Sequence, residues 1–477
     1  RYDELSYRGP IRENGIPNVF NVYDIDSTKK KARQEGWAEQ TQSIFASVET
    51  GWKNMLYLTL TGRNDWASQL ANSSTKSFFY PSVGLSAIVS EMLPMPKAID
   101  YLKLRASFSS VGTPYPRHLT SPTYEYDETT QTWKPKTHYP IGDLKPERTN
   151  SWELGLDFGL FKDLTFAFSW YRANTMNQTF DPKISVSSGY STIYLQTGHV
   201  RNTGVELSLR YNHRWTNGFG WESGFTLSSN RNKIIELVKD YRHPETGEII
   251  NKDRLDVGGL GKARFILKPG GTLGDLYTQS GLKRDENGMV EIDPNGNLVT
   301  VDNLPDIKLG SVFPKANLAW RNSFEWHGVQ LSALITARIG GIVYSATQAA
   351  MDQYGVSETS AHARDNGGVL VNGRTMVNPQ TWYTAIGSSS GLPQYYTFSA
   401  TNVRLQEASI GYTVPRKWLG NICSIHIALV GRNLLMIYNK APFDPESVAS
   451  TGNYYQGIDY FMMPSTRSIG LNAKINF

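Results

Sequence analysis

Residues 152–161, WELGLDFGLF, set Trp152, Leu154, Leu156, Phe158 and Leu160 on one parity and Glu153, Gly155, Asp157 and Gly159 on the other. Strict period-2 alternation builds a strand with one dry face and one wet face, and the dry face needs either a protein core or lipid. The pattern recurs along the chain. Leu102, Leu104, Ala106 and Phe108 oppose Lys103, Arg105, Ser107 and Ser109; Leu164, Phe166, Phe168 and Trp170 oppose Thr165, Ala167 and Ser169. Val205, Leu207, Leu209 and Tyr211 oppose Glu206, Ser208, Arg210 and Asn212, and Ile469, Leu471, Ala473, Ile475 and Phe477 oppose Ser468, Asn472, Lys474 and Asn476. About 14 such segments of about 8 to 13 residues are legible, longer than ordinary globular strands. No amphipathic helix is expected beside them.

The connections alternate in size. LFKD at 160–163, WTNG at 215–218, WHG at 326–328 and VPRKWLGN at 414–421 are tight; the stretches 113–147, 176–199, 231–313, 341–400 and 436–466 are long. Short and long in strict turn is the signature of an up-and-down transmembrane barrel, with tight turns at one rim and long external loops at the other, whereas Greek-key sandwiches lack it. With Phe477 at the periplasmic end, 424–433 and 329–340 run outward, which makes 231–313 and 341–400 external. A connection as long as 231–313 must carry structure of its own. GMVEIDPNGNLVTVD at 288–302 holds Asp293, Pro294, Asn295 and Gly296 between two β-runs, a hairpin expected to reach out from the barrel. Tyr80, Trp152, Trp170, Trp215 and Trp326 fall where interfacial aromatic girdles sit.

Composition excludes several classes. The chain has 477 residues, 39% hydrophobic and 19% charged, with net charge +5, a mild balance that implies no nucleic-acid partner. No apolar run is long enough for a membrane helix, a test that membrane barrels escape. One cysteine, Cys423, permits neither an internal disulfide nor a metal-type cysteine spacing. The eight histidines are scattered and include no HExxH, so no metal, cofactor or catalytic residue is expected. KPGGTLGD at 268–275 lacks the Gly-Lys-Ser/Thr of a phosphate loop, and DENG at 285–288 lacks the ligand spacing of a calcium loop; both read as turns. RYDELSYRGP opens without a Met or an apolar leader, so an N-terminal portion is expected upstream.

TGRNDW (61–66), FFYPSVGLS (78–86), YLKLRASFSSVG (101–112), LKPERTNSWELGLD (144–157), SGYSTIYLQTGHVRNTGVELSL (188–209), TNVRLQEASIGYTVP (401–415), GRNLLMIYNKAPFDPE (431–446) and PSTRSIGLNAKINF (464–477) follow one another in an order that resembles the C-terminal barrel of SusC/RagA-type TonB-dependent outer-membrane transporters of the Bacteroidota. The resemblance implies that residues 1–477 supply about 14 strands of an all-β, antiparallel, 22-stranded barrel closed by a plug. The plug, the TonB-contacting segment and the first strands would then lie upstream. It also implies residence in the bacterial outer membrane, a SusD-like lipoprotein lid, TonB coupling, and oligosaccharide or oligopeptide cargo, with glycans the commoner cargo. Val403 and Leu405 share a parity that Ala408, Ile410 and Tyr412 do not, so a bulge is expected near Gln406 or Glu407.

Several residues then acquire expected roles. Phe477 resembles the terminal signal for barrel assembly. Pro81 and Pro464 stand at strand entrances, where a missing amide does least harm. Arg63 and Arg432, in Gly62-Arg63-Asn64 and Gly431-Arg432-Asn433, are placed at outer strand ends facing lumen or plug carboxylates. Lys103, Arg105, Glu153, Asp157, Glu206, Arg210, Arg338 and Lys474 would line the lumen, a mixed-sign wall suited to bonding a plug. Tyr124, Tyr126, Trp133, Tyr190, Tyr194, Trp382, Tyr383, Tyr395, Tyr396, Tyr454 and Tyr455 lie in the long loops, placed to stack on sugar rings or pack against a lid. A passive porin or adhesion barrel and a soluble carbohydrate-binding β-protein are the competing readings. All of this requires the Trp152–Leu160 flank to face lipid; a covering layer of protein would overturn it.

Overall fold

A computed structural model describes residues 2–8, 31–116, 119, 124–127, 132–135, 138–139, 144–180, 192–242, 247, 249–388, 391–450, 452 and 455–476. Thirteen strands form one meandering antiparallel sheet whose spatial order is the chain order. They are β1 (Thr41–Trp52), β2 (Leu56–Ala67), β3 (Phe78–Ile88), β4 (Ile99–Thr113), β5 (Glu147–Leu160), β6 (Leu164–Phe180), β7 (Leu195–Arg214), β8 (Gly220–Glu236), β9 (Ala316–Trp326), β10 (Val329–Ile339), β11 (Asn402–Val414), β12 (Ser424–Asn439) and β13 (Ser468–Asn476). A separate hairpin pairs Tyr2–Arg8 with Lys31–Trp37. No helix among the described residues is long and apolar enough to cross a membrane.

The expected alternation of connections holds from β4 onward, whereas 68–77 and 89–98, on either side of β3, are equal in length. His327 and Gly328 alone join β9 to β10, both with positive φ (47° and 84°), the left-handed pair that a two-residue hairpin demands. The opposite rim carries the long connections, 237–315 and 340–401 among them. Strands run from 9 residues in β13 to 20 in β7, longer than the periodicity suggests, because the wall continues past the apolar zone into the loops. The bulge is where parity placed it: Leu334 pairs with Glu407 and Ile335 with Leu405, which leaves Gln406 extra.

Register makes one face of the sheet a continuous apolar belt. One row runs Leu104–Leu156–Phe168–Leu207–Leu227–Leu318–Ala337–Val403 across eight strands, and another runs Phe324–Leu331–Ile410–Leu429–Leu471. No layer of the described residues covers it: Trp152 is 56% exposed, Leu154 53% and Leu429 50%. Along β10 the 11 residues Val329–Ile339, at about 3.3 Å per residue and a tilt of roughly 40°, rise about 25 Å, the height of a barrel's lipid-facing band. Near the tight turns, Trp215 stacks near Phe219 (5.4 Å), and Phe219 and Trp221 each near Phe324 (6.2 Å), forming one aromatic girdle. Tyr80 does not belong to a girdle. It pairs with Arg63 on the polar face, and its hydroxyl donates to Asp65.

The buried apolar residues lie almost entirely in the loops. Phe265, Leu276, Leu282, Val290, Leu298, Val312, Ile386, Leu392 and Ile458 form one cluster, uniting connections 237–315, 340–401 and 440–467. A second cluster joins Leu70, Phe78, Tyr115, Leu144, Phe180, Ile234 and Leu267. The 288–302 segment turns at Asp293, whose Oδ1 accepts from the amides of Asn295 and Asn297 (2.9 and 2.7 Å). Val290 and Leu298, flanking the turn, pack into the loop core. The 340–401 connection departs from the all-strand expectation. It holds three eight-residue helices, α1 (Ala346–Gln353), α2 (Glu358–Asp365) and α3 (Pro379–Ile386). Each has a side-chain cap: Ser345 Oγ accepts from Gln348 N, Ser357 Oγ from Ser360 N, and Asn378 Oδ1 from Gln380 N.

Candidate functional site

The face opposite the belt is polar. Lys103, Arg105, Glu153, Asp157, Glu206, Arg210, Arg338 and Lys474 all stand on it, each paired in register with other residues of that face. Arg105 is the best anchored. Its guanidinium bonds Asp157 (3.0 Å), approaches Glu153 (3.5 Å) and reaches Ser169 Oγ at 3.4 Å. Gly155 makes this possible, since a Cβ there would come within 2.7 Å of Arg105 Cζ. The glycine in WELGLD is therefore the bed on which the arginine crosses the strand.

Arg210 pairs with Glu222 at 3.0 Å. Arg338 donates to the Val312 carbonyl at 2.9 Å, fastening the base of the 237–315 connection to the wall. Lys103, Glu206 and Lys474 make no hydrogen bond or ion pair among the described residues. Arg63 bonds Asp65 (2.7 Å) and Arg432 bonds Glu407 (3.0 Å), so both expected carboxylate partners belong to the wall. Gly431-Arg432-Asn433 lies in the middle of β12 rather than at its outer end, opposite the bulge at Gln406. Pro81 lies inside β3, opposite Gly62 and one residue before pairing to β4 starts at Ser82. Pro464 precedes β13 by four residues, outside the strand.

At the loop rim the wall is riveted to the loop layer. Arg404, buried on β11, makes a two-pronged contact with Asp444 (2.8 and 3.1 Å) and meets Glu446 at 3.3 Å. Burial pushes the Asp444 carboxyl up, but hydrogen bonds from Arg404, the Glu446 amide and Ser465, with the Arg404 charge, together outweigh this and hold it below the usual carboxylate range. Asp306 sits between Arg254 (2.7 Å) and Lys268 (2.8 Å), and the Arg254 bonds above all lower its pKa to about 2. Sequence reasoning missed both sites. Their partners lie far apart in the chain, from 38 residues for Lys268–Asp306 to 52 for Arg254–Asp306, and nothing in periodicity pairs them.

The loop aromatics divide by burial. Tyr383 (7% exposed) and Tyr396 (2%) are inside the loop core, so their rings hold loops together and present no surface. Burial pushes the Tyr344 hydroxyl beside them up to about 12. Trp382 and Tyr395 pack edge-to-face at 5.8 Å on the flank of that core, and Tyr194 is half-buried against the second cluster. Tyr455 is 42% exposed, its ring edge-on to Phe265 at 6.3 Å. The backbones of Tyr124, Tyr126 and Trp133 belong to a small hairpin, Tyr124–Asp127 with Thr132–Pro135. Tyr190, Tyr454 and Phe477 lie outside the described residues. Among the described residues no group of three or more His, Cys, Asp or Glu could hold a metal ion.

An apolar belt outside, a charged face inside and a packed loop layer on one rim invite comparison with known membrane barrels. A family model described as TonB dependent receptor-like, beta-barrel, matches residues 1–434. A TonB-dependent receptor of Formosa agariphila is 26% identical over 97% of this chain and 49% of its own length. The TonB-dependent receptor SusC of Bacteroides thetaiotaomicron is 22% identical over 79% of this chain and 38% of its own. Among solved structures, the RagAB peptide transporter superposes with a TM-score of 0.72 at 18% identity, covering 96% of this chain and 49% of that one. The chain spans about half the length of the curated relatives it matches. With the exposed belt setting the sheet in lipid and the family model covering most of its length, the chain belongs to the TonB-dependent receptor β-barrels of the bacterial outer membrane.

Proposed function

We propose that this chain forms the C-terminal wall and loop layer of an importer that draws oligosaccharides or oligopeptides across the outer membrane, powered through TonB and assisted by a SusD-like surface lipoprotein. The observation that carries the reading is the wall's division of labour. Lipid-facing residues form an apolar belt, while the opposite face keeps Lys103, Glu206 and Lys474 without a hydrogen bond or ion pair among the described residues, beside the anchored Arg105 and Arg210. Unpartnered charges of both signs along one wall suit a plug that bonds and releases, and suit a permanently open pore poorly. In this reading the remaining strands, the plug and the TonB-contacting segment belong to the portion upstream of residue 1.

The loop layer offers the docking surface. In this reading Tyr455, Trp382, Tyr395 and Tyr194 meet cargo or lid, with Tyr124, Tyr126, Trp133, Tyr190 and Tyr454 as further candidates; the exposure of Tyr455 and the burial of Tyr383 and Tyr396 in the core support this division. RagAB, which aligns with 96% of this chain, is a peptide transporter and keeps oligopeptides in the proposal; oligosaccharides stay in it on the resemblance of the sequence motifs to SusC/RagA-type transporters. The test uses the full-length protein and its neighbouring lipoprotein in the native outer membrane, offered labelled mixed oligosaccharides and a labelled oligopeptide digest. One class is expected to accumulate, and accumulation should cease when a protonophore collapses the inner-membrane gradient. Uptake that ignores the protonophore would establish a passive porin instead.

A further inference from the structure

The lipid-facing side changes character at the outer edge of the belt. Next beyond Leu154, Trp170 and Val205, the same face of β5 to β8 carries Arg148, Arg172, Arg201, Arg231 and Lys233. The register fixes their positions. Trp152, Arg172, Thr203 and Arg231 form one cross-strand row; Asn150, Asn174, Arg201 and Lys233 form the next; Arg148 stands one row further out, opposite Met176. Five cations thus share a patch two to three rows deep, with only neutral residues between them.

These cations lack what the inner face supplies. Arg63, Arg105, Arg210, Arg214, Arg404 and Arg432 on the polar side each meet a carboxylate at 3.0 Å or closer. In the outer patch, Arg148 donates to the Phe79 carbonyl (2.8 Å) and Arg201 to Asn174 Oδ1 (2.9 Å). Arg172, Arg231 and Lys233 make no hydrogen bond or ion pair among the described residues. Glu236, at the margin of the patch, faces Lys239 at 4.0 Å. Arg201 and Lys233 are directly opposite each other across the strands, an arrangement of like charges that destabilises a sheet unless an anion bridges them. Arg231 also lines a cavity of about 620 Å³ whose walls include Lys315, Phe313 and Ile342 and no carboxylate.

We propose that Arg148, Arg172, Arg201, Arg231 and Lys233 form a binding site for the phosphorylated headgroup of an outer-leaflet lipid, whose acyl chains lie on Trp152, Leu154, Trp170 and Val205 directly below. Depth selects this ligand. The patch starts one residue beyond the belt, at the level where a lipid's phosphates meet water, and arginine forks match phosphate oxygens two at a time. The tight-turn end of the same face is bounded instead by the girdle of Trp215, Trp221, Phe324 and Trp326, so the two rims of the belt address two different leaflets. The inference rests on the membrane placement of the barrel and is independent of the proposed transport.

The test takes the full-length protein in detergent, stripped of co-purifying lipid, and measures binding and thermal midpoint with bis-phosphorylated lipid A, dephosphorylated lipid A, and inorganic phosphate at equal ionic strength. Phosphorylated lipid should bind and raise the midpoint, the dephosphorylated form should bind far more weakly, and inorganic phosphate should do neither. The triple variant Arg172→Gln/Arg201→Gln/Lys233→Gln should bind phosphorylated lipid on the order of 100-fold more weakly, at about one decade or less per removed charge. Equal binding of the two lipids by the unmodified protein would overturn the proposal without recourse to any variant. An effect of inorganic phosphate as large as that of the lipid would overturn the lipid assignment, and undiminished binding by a folded triple variant would overturn the residue assignment.

Discussion

The wall and the loop layer obey opposite burial rules within one chain. In the wall, large apolar residues such as Leu154, Leu331 and Leu471 are half exposed or more, and the polar residues face inward. In the loop layer Phe265, Leu276 and Ile458 are fully buried while charges such as Lys262 and Asp302 pair near the surface. The rule itself is constant, since each surface matches the medium it meets. Lipid replaces water as the solvent for one face of thirteen strands, and the loops return to the arrangement of a water-soluble protein.

Substitutions can break or sharpen that contrast. The largest effect is expected where the loop layer is most protein-like: Phe265→Ala should cost about 3–5 kcal/mol locally. Hydrogen exchange should then speed up in 340–401 and 440–467 as well as in 237–315, because all three share the Phe265 core, with β5–β7 unchanged. Faster exchange confined to 237–315 would show the loops to be independent. A comparable loss, about 3–5 kcal/mol, is expected at the junction from Arg404→Met, which strands the Asp444 carboxylate in a buried position. Proteolytic release of 440–467 is the readout, and it should be milder when Asp444→Asn accompanies it.

In the wall, Leu154→Arg should destabilise the barrel in lipid by about 2–4 kcal/mol, while the same charge at an inward position, Ser208→Arg, should cost less. Reversible unfolding in liposomes measures the difference; equal costs on the two faces would mean the belt does not touch hydrocarbon. The smallest effect concerns Asp306. Its pKa is lowered in the folded state to about 2, so its contribution is complete above the unfolded value near 3.8 and is lost as pH falls through about 2. That contribution is at most about 2 kcal/mol, reduced by the exposure of Arg254 and Lys268, and Asp306→Asn should reduce the change in protection of 237–315 between pH 4 and pH 2.

Legibility in the sequence divides along the same line. The wall could be read because a strand between two media repeats every two residues, and even the bulge at Gln406 showed as a parity slip between Leu405 and Ala408. The turns at Asp285 and Asp293 were legible from their own side chains. The three loop helices were missed although Ser345-Ala346-Thr347-Gln348 and Asn378-Pro379 carry cap signals, since eight residues are too few to establish a helical period. Tyr383 and Tyr396 looked like surface aromatics because loops are usually surface. Only the meeting of Phe265, Ile386 and Ile458, brought together from three connections, reveals an interior there.

That shared interior has a practical consequence for redesign. Anyone hoping to change what such a receptor accepts by grafting a single loop from a cousin would remove a third of a common core and leave Leu276 or Ile458 facing water. The three connections have to travel together, as one transplantable cap with the Arg404–Asp444 rivet as its seam.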